Sequence, residues 1–273
     1  MSGTLYIIGT PIGNMEDITL RQLRMLEEVD FICAEDTRLT AKILNHYEIK
    51  KELVSFHEHS QPYVSENIIK RIIQGENAGI VTDAGMPCIS DPGEVLVRKA
   101  YENNVPVRVV PGATALASAV ALSGMDSKRF TFEGFLPVDN KERSERLELI
   151  RSETALMVFY EAPHKLRKTL SDFADFFGKE RKVSVSRELT KIHEETLHFT
   201  LAEAVEYYSS IEPRGEFVIV LEGFKKSESC TVDIEQALQQ VRKLIEMGEK
   251  PTEACKAVAK ETGFRKSELY SAL

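Results

Sequence analysis

Two rhythms of apolar and polar positions alternate along most of the chain. Short apolar runs, the mark of buried strands, are followed by segments whose apolar residues recur every three or four positions, the mark of amphipathic helices. Residues 5–8 form the first run, ended by the turn residues Gly9, Pro11 and Gly13. Residues 19–29 then place Leu20, Leu23, Met25 and Leu26 at helical spacing. The alternation continues with strands at 30–34, 53–56, 78–82 and 107–110. Between them come helices over 37–47, from Pro62 onward, over 94–103, and over the small-residue stretch 113–122. This order predicts a parallel sheet with helices on both faces. Ligands of such sheets bind beyond the carboxyl ends of the strands. Three loops occupy those ends, at 9–14, 83–93 and 111–114.

The second half of the chain reads as another α/β unit with a mixed sheet. Strands are predicted at 129–135, 155–160, 182–186, 195–200 and 216–222, and helices at 139–151, 163–177 and 201–209. A polar stretch at 225–230 marks a linker, followed by three helical patterns at 232–247, 252–261 and 266–273. The last two resemble a helix-turn-helix with Gly263 in its turn. The expected organisation is therefore an N-terminal parallel α/β domain at 1–122, a second α/β domain at 123–226 and a helical module at 231–273.

Composition narrows the classes. With 273 residues, 42% hydrophobic and 29% charged, the chain is globular and large enough for two domains. None of its 15 glycines is separated from another by a single residue, so no G-x-G motif occurs. That excludes the dinucleotide fingerprint, the kinase glycine loop and the usual Rossmann-type methyltransferase motif. The cysteines at 33, 88, 230 and 255 form no C-x-x-C pair, against a disulfide framework or zinc knuckle and in favour of a reducing, cytoplasmic setting. The N-terminus reads as a strand rather than a signal peptide, and no apolar run is long enough to span a membrane. A net charge of −8 argues against an indiscriminate nucleic-acid binder, so any RNA-facing basic surface must be local. The helical tail carries seven basic and seven acidic residues from Cys230 onward, which leaves packing, dimerisation and RNA contact open for it.

Polar clusters sit at the strand ends. Gly9-Thr-Pro-Ile-Gly-Asn14 allows close backbone approach, although a tight turn explains it equally. The stiff loop at 83–93 carries two prolines, two glycines and two aspartates, and its exposed backbone suits a polar small molecule. Pro111-Gly-Ala-Thr-Ala115 opens a helix whose amides and Thr114 hydroxyl could hold a carboxylate, or simply cap the helix. Glu35-Asp-Thr-Arg38 and His57-Glu-His59 invite a metal reading, but no third ligand has a fixed spacing to them, and substrate contact or base catalysis is preferred to a metal site. Tyr160-Glu-Ala-Pro-His164, Arg187-Glu-Leu-Thr-Lys191 and Pro213-Arg-Gly-Glu216 are further strand-end clusters, each of which could also be surface ion pairing.

Taken in order, these segments resemble the tetrapyrrole methylase superfamily and, within it, the branch that methylates small-subunit ribosomal RNA. Any one motif is weak; the ordered set is specific and spans nearly the whole chain. The resemblance implies two α/β domains with S-adenosylmethionine in the cleft between them, a homodimer, and 2′-O-methylation of a cytidine ribose in the decoding region. The cofactor residues it implies are Pro11, Ile12, Asp83, Gly85, Met86, Pro87, Ile89, Thr114, Ala115, Tyr160, Glu161 and Leu189. Two positions depart from the family pattern. Gly85-Met-Pro87 stands where relatives often carry Gly-Asp-Pro, with Asp83 as the nearby substitute acid, and Ser60 stands where Asn is expected. Methyl transfer to a ribose hydroxyl needs a base, for which Asp36, Glu188 and Lys191 are the expected catalytic residues. Arg38, His57, His59, Arg187 and Arg214 are the expected RNA contacts, with no metal. A corrinoid-precursor or protein methyltransferase, a noncatalytic RNA-binding assembly factor and a metal-dependent phosphoesterase are the alternatives.

Overall fold

The computed structural model describes residues 2–57, 60–225, 234–262, 264 and 266–273. His59, Gly263 and the 226–230 part of the expected linker lie outside the described residues. Residues Met1–Phe224 form one compact unit and Lys225–Leu273 a second.

The first sheet contains β1 (Leu5–Ile8), β2 (Phe31–Ala34), β3 (Glu52–Ser55), β4 (Ala78–Val81) and β5 (Val107–Val110). Its order is β3-β2-β4-β1-β5 and every pair is parallel, as the strand–helix alternation predicts. Strand periodicity divides its side chains between two cores. Phe31 and Cys33 pack beneath α3 (Pro62–Ile73) and α4 (Glu94–Glu102). Ile32 and Ala34 point the other way, under α1 (Leu20–Glu28) and α2 (Thr37–His46). Thr19 caps α1 in a capping box with Gln22, which explains why the helix begins where its polar signal stands.

The second sheet is mixed. It comprises β6 (Phe130–Gly134), β7 (Leu156–Glu161), β8 (Lys182–Arg187), β9 (Glu195–Thr200) and β10 (Phe217–Leu221), in the order β6-β7-β10-β8-β9. Only the β6–β7 pair is parallel; the other three pairs are antiparallel. One face packs against α6 (Asn140–Leu149), α7 (Pro163–Phe177) and α8 (Leu201–Ser210) through Leu147, Phe173 and Tyr208. The opposite face receives α5 (Ala115–Leu122), whose Ala119 and Val120 lie against Val158, Val218 and Val220. Because α5 leaves the first sheet after β5, it carries the carboxyl-end loops of one sheet onto the face of the other. Only Ala119 and Val120 of this small, almost uniformly apolar helix are buried; Ala117, Ala121 and Leu122 remain exposed.

The tail comprises α9 (Ile234–Glu246), α10 (Pro251–Thr262) and α11 (Lys266–Ser271). They close their own core around Ala237, Val241, Cys255, Val258 and Leu269.

Candidate active site

Three carboxyl-end loops of the first sheet are stitched into one rim by their backbones. Thr10 and Gly85 exchange two hydrogen bonds, at 2.8 Å from Thr10 N to Gly85 O and 3.2 Å in return. The Gly112 amide donates to the Met86 thioether at 3.3 Å. Gly9 and Gly112 pass so closely that a Cβ on Gly9 would stand 2.8 Å from Gly112 Cα and from Met86 Sδ. No other residue type fits that crossing. The buried Gln22 side chain donates to Gly9 O, tying α1 to the same point. Thr114 caps α5, as its position at the helix start predicts.

The second sheet contributes the opposing wall. The Tyr160 hydroxyl reaches across and accepts from the Leu116 amide at 3.2 Å. Its ring packs edge-on against Phe132 and Phe135, with centroids 5.0 and 5.7 Å away. Burial pushes the Tyr160 phenol up from its ordinary pKa. Glu161 is buried, accepting from the Ala162 amide at 2.9 Å and from the Thr169 hydroxyl. Thr169 in turn accepts from Arg143, whose guanidinium also holds Asp172 at 2.7 Å.

Between the walls lies a cleft of about 370 Å³. The expected cofactor residues Ile12, Gly85, Met86, Ile89, Thr114, Ala115, Tyr160, Glu161 and Leu189 all line it. The other three stand just behind: Pro11 and Pro87 are buried, and Asp83 accepts from the Asp36 amide at 3.0 Å, joining the ends of β4 and β2. The cleft also takes in Ala84, Ser90, Asp91, Ala162, Pro163 and Glu216, from clusters singled out in the sequence but not expected individually to bind cofactor, and Phe135, Phe217 and Val218, which sequence reasoning passed over. Phe217 and Val218 open an antiparallel strand, so the carboxyl-end rule for parallel sheets does not reach them, whereas Asp91 sits inside a loop already singled out. Left-handed backbone at Cys88 (φ 70°) and Ser90 (φ 61°) flanks Ile89, and at Glu188 (φ 51°) and Thr190 (φ 67°) flanks Leu189. These four non-glycine positions carry strain of the kind that gathers at ligand sites, and they aim one apolar side chain from each wall into the cleft.

The expected catalytic groups are engaged elsewhere. The Asp36 carboxylate caps α2 and is paired with Arg38, the shortest contact being 2.6 Å. That hydrogen bonding brings its pKa down to about 2, so it is a weak proton acceptor. Burial would raise Glu188, but bonds from Lys191 (2.8 Å) and the Glu216 amide (3.0 Å) outweigh it and leave its pKa lowered. Burial likewise works against the charge on Lys191, yet its bonds to Glu188 and Glu216 prevail, so its pKa is raised and it stays protonated. The Lys191 stem lies where a Cβ on Gly13 would fall, within 2.5 Å.

The expected RNA contacts are dispersed. Arg38 is 86% exposed and bound to Asp36; Arg187 pairs with Glu195 at 3.6 Å; Arg214 pairs with Glu212 on the surface at 3.0 Å. His57 is exposed, its amide donating to the Ser60 hydroxyl. Among the described residues, no group of three His, Cys, Asp or Glu side chains could hold a metal ion.

The fold of two connected sheets with an apolar cleft between them is shared with solved methyltransferases of the tetrapyrrole type. Residues 4–205 match the family described as Tetrapyrrole (Corrin/Porphyrin) Methylases, and the chain belongs to it. Its relatives include the ribosomal RNA small subunit methyltransferase I of Halalkalibacterium halodurans, 42% identical over 98% of this chain and 94% of that protein. That of Synechocystis is 40% identical over 98% of this chain and 96% of the relative. Among solved structures, uroporphyrin-III C-methyltransferase from Thermus thermophilus complexed with S-adenosyl homocysteine has a TM-score of 0.58 at 19% identity, covering 81% of this chain and 97% of that one. Diphthine synthase has a TM-score of 0.64 at 14% identity, covering 81% and 90%.

The cofactor of this family is S-adenosylmethionine. The residues present fit it. The cleft volume lies in the range of small-molecule sites, and its walls combine apolar side chains (Ile12, Ile89, Leu189, Val218) with the Thr114 hydroxyl and loop backbone. Bound there, it supplies an electrophilic methyl group. No described helix is long and apolar enough to cross a membrane.

Proposed function

We propose that this protein methylates the 2′-oxygen of a cytidine ribose in the decoding region of small-subunit ribosomal RNA. The observation that carries the proposal is similarity over 98% of the chain, helical tail included, to relatives named ribosomal RNA small subunit methyltransferase I. In-line methyl transfer asks the protein mainly to position the attacking oxygen, and a cleft with one wall built from locked backbone suits that demand. On this reading Arg38, Arg187 and Arg214 would exchange their carboxylate partners for RNA phosphates. The proposal also counts His57 and His59 among the RNA contacts. The proposal includes a homodimer, a domain division at 1–122, 123–226 and 231–273, and a cytoplasmic setting.

The test uses purified small subunits from a strain lacking the protein, offered with labelled cofactor beside a corrinoid precursor. Mass mapping should find one methyl group on one cytidine ribose. Methylation of the corrinoid alone would sink the reading, and binding of RNA without turnover would favour an assembly factor.

A further inference from the structure

Three acidic residues line the cleft: Asp91, Glu161 and Glu216. Glu161 is 4% exposed and has both carboxylate oxygens occupied, by the Ala162 amide and the Thr169 hydroxyl. Glu216 points outward, its side chain 78% exposed and bound to Lys191. Asp91 alone of the three lies half-buried in the cleft with no cationic partner among the described residues.

Asp91 sits at the end of a loop with contacts on both sides. The loop that carries it is anchored by the Thr10–Gly85 bridge and by the Gly112–Met86 contact, and it turns through left-handed Cys88 and Ser90 just before Asp91. The Ser90 hydroxyl lies 3.2 Å from where a Cβ on Gly134 would stand, so the end of β6 closes over the same turn. The groups around Asp91 are acidic or neutral. Glu35 approaches from the end of β2, Thr82 and Asp83 from the end of β4, Cys88 from its own loop, and Tyr160 from the opposing wall. Glu94, at the start of α4, adds its charge at Cys88.

We propose that Asp91 is the catalytic base, accepting the proton of the substrate hydroxyl as its oxygen attacks the methyl carbon. The new O–C bond forms as the C–S bond breaks. The bonding pair goes to sulfur, leaving the neutral thioether, while the proton passes to the Asp91 carboxylate and then to water. This role rests on the reading that the acceptor is a hydroxyl, and it replaces the expectation of Asp36, Glu188 or Lys191 as base. Burial first, then the Glu35 and Asp83 charges, against a hydrogen bond from Thr82, push the Asp91 carboxyl up to about 6. A base tuned close to the working pH is ionised yet still basic, whereas Asp36 at about 2 is ionised and barely basic.

The experiment measures turnover on small subunits for the intact protein, Asp91→Asn and Asp91→Glu. It also follows the intact protein's rate from pH 5 to 8 and titrates S-adenosylhomocysteine by calorimetry. Asp91→Asn should lower kcat by roughly 10²- to 10⁴-fold while ligand affinity stays within about threefold. Asp91→Glu should recover part of the loss. The intact protein should lose rate below about pH 6, with one proton controlling the limb, and Asp91→Asn should show no such limb. An Asp91→Asn variant within about threefold of the intact kcat would overturn the role, as would a flat rate between pH 5 and 7. Loss confined to ligand affinity would also overturn it. A wild-type product methylated on a base ring would defeat the hydroxyl reading and the base with it; that result comes from the wild-type product, so it is distinct from a failure seen only in the variant.

Discussion

The two walls of the cleft are built in different ways. On the first-sheet side, position is held chiefly by main chain, through the Thr10–Gly85 bridge and the Gly9–Gly112 crossing, with the Met86 thioether accepting from the Gly112 amide. On the second-sheet side it is held by side chains: Tyr160 on the Leu116 amide, the chain from Glu161 through Thr169 to Arg143, and the Lys191 ion pairs. A main-chain crossing tolerates no added atoms, because the Gly112 backbone cannot rotate away from a Cβ on Gly9. A side-chain wall loses one bond at a time. The first should therefore fail abruptly under substitution and the second by degrees.

The largest effect is expected from Gly9→Val. Its Cβ would meet Gly112 and Met86 at 2.8 Å, so the loops must part, at about 3 kcal/mol of stability and with cofactor-site affinity lost. Urea unfolding and calorimetry with S-adenosylhomocysteine measure both, and unchanged affinity would break the contrast between the walls. Next, Thr169→Val leaves buried Glu161 and Arg143 each short of a partner and should cost about 1–3 kcal/mol by the same unfolding assay. Tyr160→Phe strips the acceptor from the Leu116 amide and should cost about 1 kcal/mol with a several-fold weaker ligand.

The smallest change should come from Lys191→Met, within about 1 kcal/mol at neutral pH, because the pair is partly solvated. Its pH dependence sharpens the point. The folded pKa of Glu188 is lowered, so its contribution is present above the unfolded value and is lost as pH falls through the folded one. Lys191→Met should remove that acid-side loss. Asp91 has the opposite sign: its folded pKa is raised to about 6, so its ionisation costs stability as pH rises from about 4 to 6. Asp91→Asn should therefore unfold at higher urea than the intact protein at pH 7.5, and a lower midpoint would contradict the burial argument.

Much of this architecture was readable along the chain. Every strand of both sheets overlaps a predicted one, and Thr114 caps α5 as its position suggests. The reason is local: strand and helix periods and caps depend on residues within a turn or two. The three strand-end loops were legible too, since parallel topology places them at one edge; the cofactor positions came from the family resemblance, and nine of those twelve residues line the cleft. The roles of the acids were not. Asp36 read as a base because it stands in a polar strand-end cluster, but one guanidinium two residues later turns it into a cap and an ion pair. Asp91 stood in a loop read as a binding loop but had no role of its own there, and only its neighbours from β2, β4 and β7 give it a distinct chemistry.

By itself, then, the sequence determined the two α/β units, their strand-end loops, the helical tail and the absence of every G-x-G motif. Tertiary structure decided which loops touch, which wall each side chain joins and which carboxylate in the cleft is left without a cation. Pattern and propensity act over a few residues. Ionisation depends on burial and charge brought together from distant parts of the chain, as Glu35, Asp83 and Asp91 are here.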